Sequence, residues 1–149
     1  WIISELMTLG DIAKFYDFLN ISKFDIHNPR SNKLEQLANE FGASSVSSIV
    51  SWVYAIRDIR NRCAHHSRLW NTIIREPGEI VLMLTHSSTF SNRIYLSLVM
   101  MHIMIKALNI TGIDLKQNLL DLENEFPIFK VLNSSAGFPP NWDTDPIWN

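Results

Sequence analysis

The apolar residues between positions 46 and 63 recur every three or four residues, and this spacing restricts the fold more than any other feature of the chain. They continue through five helical turns as Val46, Ile49, Val50, Val53, Ile56, Ile59 and Cys63. A repeat of this length predicts one long amphipathic helix. Ser44 or Ser45 is the predicted N-cap, because a serine hydroxyl accepts a hydrogen bond from a free backbone N–H group.

Helical spacing also occurs in four other segments, so the chain is predicted to contain about five helices. Their boundaries follow from caps and breakers such as the Asn32–Glu35 capping box, Gly42 and Pro127. The predicted segments are residues 2–19, 34–41, 91–108 and 115–126.

Two further segments lack this spacing. Residues 80–84 are apolar and resemble a strand, but no second run of this kind exists for them to pair with, so we expect an irregular packed segment. The tail, which includes Pro139, has no periodicity, and Trp142 and Trp148 are predicted to lie against the surface of the helices.

These patterns predict an all-α fold, a bundle of about five helices with an irregular C-terminal tail. A length of 149 residues, with 46% apolar and 19% charged side chains, fits one globular domain over residues 1–149. The single cysteine excludes an intramolecular disulfide and favours a reducing compartment, of which the cytoplasm is the simplest. The longest apolar run, residues 94–105, is too short to span a bilayer, so no membrane association is expected.

The end of the long helix is rich in side chains that bind phosphate or transfer protons. Arginine offers phosphate oxygens a planar and permanently charged fork, and histidine exchanges protons near neutral pH. Because the net charge is −2, RNA binding would depend on this local patch. A solvated helix end, where the helix dipole favours cations, is the alternative interpretation. The residues are Arg57, Arg60, Arg62, His65, His66 and Arg68.

Helical geometry separates two of these side chains. If the helix continued through His65, Arg60 would lie at the border of the apolar face and His65 on the opposite side. Two alternatives remain open: the helix bends or ends near Ala64, or the site forms between two copies of the chain.

Other kinds of site have little support in the sequence. Cys63, His65 and His66 lack the spacing of a zinc site, and Cys63 is predicted to pack as part of the apolar stripe. There is no Ser-His-Asp order and no glycine-rich phosphate loop. No metal or cofactor is therefore predicted, and no role is assigned to His102.

Residues 60–70 read RNRCAHHSRLW, which includes an Arg-Asn-x-x-x-His pattern. This stretch resembles the Abi family of HEPN proteins, which act in abortive infection against bacteriophage. Residues 1–10 and 137–142 are similar to other parts of the family pattern. The resemblance implies a HEPN-like helical bundle that is the C-terminal part of a longer Abi-like protein. It also implies an active site at the interface of a homodimer.

The function that the resemblance implies is a metal-independent endoribonuclease, which cleaves RNA by attack of the 2′-hydroxyl. Arg60 and His65 would be catalytic, and Asn61 and His66 would support them. Asn61 could bind the phosphate or hold the neighbouring arginine. Further RNA contacts are expected from Arg57, Arg62, Arg68 and Trp70. An antitoxin or a regulatory RNA stays open as a further partner.

Two other functions compete with this interpretation. The first is a non-catalytic HEPN module that binds RNA or a protein in a toxin–antitoxin or defence system. The second is a helical dimerisation domain in which the basic patch is incidental. Cleavage of RNA would distinguish the endoribonuclease from both of these non-catalytic functions.

Overall fold

A computed structural model describes Thr8, Asp11, Lys14 and residues 33–86 and 90–149. These parts of the chain contain helices and no strand, so the predicted all-α class is confirmed, whereas the HEPN-like arrangement stays a prediction. The α-helices are α1 (Lys33–Glu40), α2 (Val46–Ala64), α3 (Ile80–Met83), α4 (Ile94–Ala107), α5 (Leu115–Glu125) and α6 (Ile128–Leu132). Three short 3₁₀ helices follow, at Asn133–Ala136, Trp142–Thr144 and Pro146–Trp148.

The long helix α2 has the predicted start. The Ser45 side chain is its N-cap and accepts a hydrogen bond from the backbone N–H of Ser48 at 3.2 Å. Its apolar face is buried and includes Trp52 and Ala55, which have no exposed surface. Burial of this face stabilises the helix, because most helical stability in proteins comes from tertiary packing of an amphipathic face.

The turn between α1 and α2 requires a glycine. Gly42 has a φ of +81°, a conformation that side chains with a Cβ rarely adopt. A Cβ at this position would also lie 2.7 Å from Cγ2 of Ile103 in α4. The close approach of the α1–α2 turn to α4 therefore depends on the missing side chain.

Helix α4 is central, as its apolar composition predicts. Tyr95, Leu96, Val99 and Met100 are fully buried, and the helix contacts α2, α3 and the C-terminal 3₁₀ helix. Burial raises the pKa of the Tyr95 hydroxyl to about 12. Helix α5 starts at an Asp114 N-cap, close to the predicted boundary.

The structure corrects the prediction for residues 80–84. This segment is not irregular, because Ile80–Met83 forms a single helical turn that places Ile80 in the core and leaves Leu82 85% exposed. Most of the helix predicted for residues 2–19, and Asn32 of the predicted capping box, lie outside the described residues. Within that helix, Thr8 and Asp11 exchange backbone-to-side-chain hydrogen bonds of 3.1 and 3.2 Å.

The tail aromatics, which were predicted to lie against the surface of the helices, are buried deeply enough to form part of the core. Phe138, Trp142 and Trp148 are only 2–3% exposed. The Trp142 indole N–H donates to the Glu123 carboxylate of α5 at 3.0 Å, and Asn133 donates to the same oxygen at 2.6 Å. The buried carboxylate therefore has two donors and fastens the tail to α5.

A second buried carboxylate, Asp145, fastens the tail to the segment after α3. It has no exposed surface and accepts hydrogen bonds from the backbone N–H groups of Thr85 and His86, both at 2.9 Å, and of Ile147 at 3.1 Å. Burial alone would raise the pKa of Asp145. The hydrogen bonds outweigh burial and hold this pKa below its ordinary value.

Across the described ranges 33–86 and 90–149, each helix is either too short or too polar to cross a bilayer.

Candidate functional site

Helix α2 ends at Ala64 in a Schellman motif. The backbone N–H of Ser67 donates to the Arg62 carbonyl at 2.8 Å. The backbone N–H of His66 donates to the carbonyl three residues before it at 3.1 Å. His66 takes the left-handed position of the motif, with a φ of 51°. Of the two alternatives that the sequence leaves open, an end of the helix near Ala64 is therefore confirmed.

An open depression of about 380 Å³ lies beside this helix end. Three of its lining residues, Asp58, Asn61 and His65, are spaced by three and four positions and so share one face of α2. His65 follows the last helical residue directly and is exposed to solvent. The full lining is Asp58, Asn61, Arg62, His65 and Ser67.

Arg60 does not line the depression but is linked to it through its neighbour. The exposed Arg60 guanidinium donates from Nη1 to Oδ1 of Asn61 at 3.2 Å. Asn61 therefore holds Arg60, and it borders the same depression as His65. Of the two residues that the resemblance implies to be catalytic, Arg60 is thus bonded to Asn61, and His65 shares the depression with Asn61.

Arg57 and Arg62 already have partners within the fold. The Arg57 guanidinium donates to Asp58 at 3.3 Å. The guanidinium of Arg62 donates to the Thr72 hydroxyl at 3.3 Å and to the Ile73 carbonyl at 3.0 Å. Arg62 thus ties the segment after α2 back to the helix, a structural role that the sequence did not predict.

Trp70 is half-buried and packs on the tail and α6. Its ring centroid lies 4.2 Å from that of Phe129 and 6.0 Å from that of Phe138. Trp70 and Arg68 both border a separate groove of about 330 Å³. In this arrangement the Trp70 ring stacks on protein side chains, so the predicted stacking on a base would use only the part of the ring that faces the groove.

Cys63 and His66 are both exposed, but only His66 shapes the end of the helix. Cys63 is exposed, so the prediction that it packs in the apolar stripe is wrong. The reason is that the buried face of α2 ends with Ile59, one turn earlier. His66 shapes the end of the helix through its backbone, and its side chain is exposed.

Arg75 is a basic residue that the sequence did not assign to the site. Its guanidinium carbon lies 4.9 Å from the centre of the Tyr54 ring, and that of Arg57 lies 4.8 Å from the same centre. A segment that returns along α2 brings Arg75 there. Spacing within one helix carries no signal of such a return.

Among the residues with a described position, no group of three His, Cys, Asp or Glu side chains could hold a metal ion. The site instead has a proton-transfer group, His65, in an open depression, and a permanent cation, Arg60, hydrogen-bonded to Asn61 of the same depression. This combination can bind a phosphate and move a proton.

The model of the Abi-like protein family matches residues 1–71. No curated protein and no solved structure matches the chain. The matched range contains all of α2 and the whole of residues 57–70, whereas residues 137–142, for which a similarity was also predicted, lie outside it. The match supports the resemblance of this chain to the Abi family and, with it, a function related to abortive infection.

Proposed function

We propose that the chain is a metal-independent endoribonuclease of the HEPN type that acts in abortive infection against bacteriophage. The observation that carries the proposal is the end of α2 at Ala64, which leaves His65 beside Asn61 in one open depression. Arg60 is hydrogen-bonded to the same Asn61. Asn61 thus contacts the phosphate-binding cation and lines the depression that contains the proton-transfer group.

In the proposed reaction, the 2′-hydroxyl of a nucleotide attacks the adjacent phosphorus. A bond forms between O2′ and phosphorus, and the bond from phosphorus to the 5′-oxygen breaks. His65 either accepts the proton of the 2′-hydroxyl or donates a proton to the leaving 5′-oxygen. Arg60 stabilises the charge that develops on the phosphate oxygens. The products are a 2′,3′-cyclic phosphate and a 5′-hydroxyl.

The proposed active form is a homodimer, in which two copies of the helix end meet across a two-fold axis. Each copy would then supply one Arg60 and one His65, so that one histidine can act as the base and the other as the acid. Light scattering at the concentration used for cleavage tests this arrangement. A monomer that cleaves RNA would contradict it.

The central experiment compares cleavage of labelled single-stranded RNA in EDTA by the parent chain and by Arg60→Ala and His65→Ala. We expect the parent to produce cyclic phosphate ends and each variant to be slower by about 100-fold or more. A loss of this size is usual when a general acid or base such as His65 is removed, or when a group that stabilises transition-state charge, such as Arg60, is removed. Lys33→Ala is the matched control, because Lys33 is an exposed cation at the start of α1, outside the depression.

Two results would count against the proposal. Equal cleavage by the parent and by both variants would show that the helix end is not the active site. RNA binding by the parent without cleavage would instead identify a non-catalytic module that binds RNA or a protein. Far-UV circular dichroism of each variant checks that the fold is retained.

A further inference from the structure

Arg57 and Arg75 approach the same aromatic ring from different segments of the chain. Arg57 lies on α2, one turn after Tyr54, and Arg75 lies on the segment that follows the helix. Their guanidinium carbons are 4.8 and 4.9 Å from the centre of the Tyr54 ring. The face of a tyrosine ring attracts cations, so the ring holds both arginines in place.

The two arginines carry more positive charge than their carboxylate partners balance. Arg57 is paired with Asp58 at 3.3 Å, a distance typical of a weak surface ion pair. Arg75 is exposed, and in the part of the chain with described positions it has no ion pair. Two like charges therefore lie beside one ring, with Arg75 exposed and Arg57 partly exposed to solvent, an arrangement that favours an anion.

This pair is continuous with the candidate site. Asp58, which binds Arg57, also lines the depression that contains Asn61 and His65. Tyr54, Asp58, Asn61 and His65 are spaced by four, three and four residues along α2, so they form one stripe on the helix. At 1.5 Å per residue, Arg57 is about 12 Å from His65 along the helix axis.

We propose that Arg57 and Arg75, held on Tyr54, form a second phosphate-binding position for the RNA strand. This inference rests on the proposed function for the identity of its ligand. The separation from His65 means that the pair binds a phosphate other than the one that is cleaved. Arginine suits this task because its fork can donate two parallel hydrogen bonds to one phosphate. The pair positions the strand and takes no part in proton transfer.

The experiment measures the salt dependence of binding to a single-stranded RNA oligonucleotide whose 2′-hydroxyls are methylated to block cleavage. Arg75→Ala is compared with the parent chain and with Lys130→Ala, which removes an exposed cation on α6. We expect Arg75→Ala to weaken binding several-fold and to lower the slope of log K against log salt by about 0.7, the value for one phosphate contact on a single strand. Lys130→Ala should match the parent.

A second measurement uses a cleavable dinucleotide, which has only the scissile phosphate. Arg75→Ala should cleave the dinucleotide at the parent rate but should have a higher KM for a long RNA, because only the long RNA reaches the second position. A residue with a merely structural role would affect both substrates alike. Arg75→Lys should recover part of the binding, since it restores the charge without the fork.

The outcomes distinguish this inference from the proposed function. An unchanged salt slope in Arg75→Ala, or a parent chain that binds no RNA, would overturn the inference. If the parent cleaves RNA and Arg75→Ala cleaves both the dinucleotide and the long RNA as the parent does, the inference fails and the proposed function stands. If binding depends on Arg75 but the parent does not cleave, the second phosphate position stands and the catalytic proposal fails.

Discussion

The end of α2 and the C-terminal tail both concentrate polar side chains, but they place them in opposite environments. At the end of α2, Arg60 and His65 are exposed. In the tail, Asp145 is fully buried and accepts several hydrogen bonds. Glu123 of α5, on which the tail packs, is also buried and has two donors. Polar groups that are buried and satisfied hold a fold together, whereas exposed groups remain available to a ligand.

This difference separates stability from function. Substitutions in the tail should alter the free energy of unfolding, and those at the helix end should alter RNA cleavage at nearly constant stability. A helix-end variant that unfolds more easily, or a stable tail variant that no longer cleaves RNA, would show that the role given to that region is wrong.

The largest effect is expected for Trp142→Ala. The substitution removes a ring that is 3% exposed and also removes one donor to the buried Glu123 carboxylate. The free energy of unfolding should fall by about 3–5 kcal/mol, the usual cost of truncating a buried tryptophan. Urea denaturation followed by circular dichroism measures it. Leu82→Ala is the control, because Leu82 is 85% exposed and should change stability by less than about 0.5 kcal/mol.

A smaller effect, which depends on pH, is expected for Asp145→Ala. Loss of the carboxylate leaves buried backbone N–H groups unpaired, so the variant should be less stable by about 2–3 kcal/mol at neutral pH. The pKa of Asp145 is lower in the folded chain than in the unfolded chain. Its contribution is therefore complete above the ordinary value of 3.8 and is lost as the pH falls through the folded pKa.

Denaturation of the parent and Asp145→Ala across this range provides the measurement. The two stability curves should approach each other in acid. Curves that stay parallel down to low pH would show that Asp145 does not act through its charge. Asp145→Asn should fall between the two, because the amide oxygen still accepts a hydrogen bond.

The smallest effect is expected for His66→Gly. A glycine takes the left-handed backbone conformation of His66 with less steric strain than a residue that has a Cβ. The free energy of unfolding of the variant should therefore be higher by about 0.5–1 kcal/mol. Thermal denaturation measures this gain, and His66→Ala should show none. Cleavage measured in parallel sharpens the comparison: if His66 supports catalysis through its side chain, both variants lose activity, although only the glycine variant gains stability.

Helical periodicity predicted the elements whose burial depends on their own spacing. The apolar stripe from Val46 to Ile59 predicted α2 and its serine cap, and the stripes of α4 and α5 were equally informative. The tail could not be predicted in this way, because Trp142 is buried by contacts with distant residues such as Glu123. Burial that arises from tertiary contacts leaves no local period in the sequence.

The candidate site was predictable to a similar extent. The cluster of arginines and histidines is visible in the sequence, and a helix end near Ala64 was one of two alternatives. The exposure of Cys63 was not foreseen, because the apolar spacing continues one turn beyond the buried face of α2. The structural bonds of Arg62 were not foreseen, because they depend on where the chain turns after the helix. The same turn brings Arg75 beside Tyr54, and only the folded chain reveals that contact.

The segment between α2 and α3 is fastened to α2 at two levels. Near the start of the segment, the Arg62 guanidinium donates to the Ile73 carbonyl. Near its end, the Trp52 indole N–H donates to the Gly78 carbonyl at 2.9 Å, and the Gly78 N–H donates to the Ser51 hydroxyl at 2.8 Å. The conformational entropy of this segment is therefore lost during folding and not during ligand binding. An RNA strand that binds across this segment as proposed would meet cations whose spacing is already fixed. Such preorganisation raises the affinity for RNA without any additional contact.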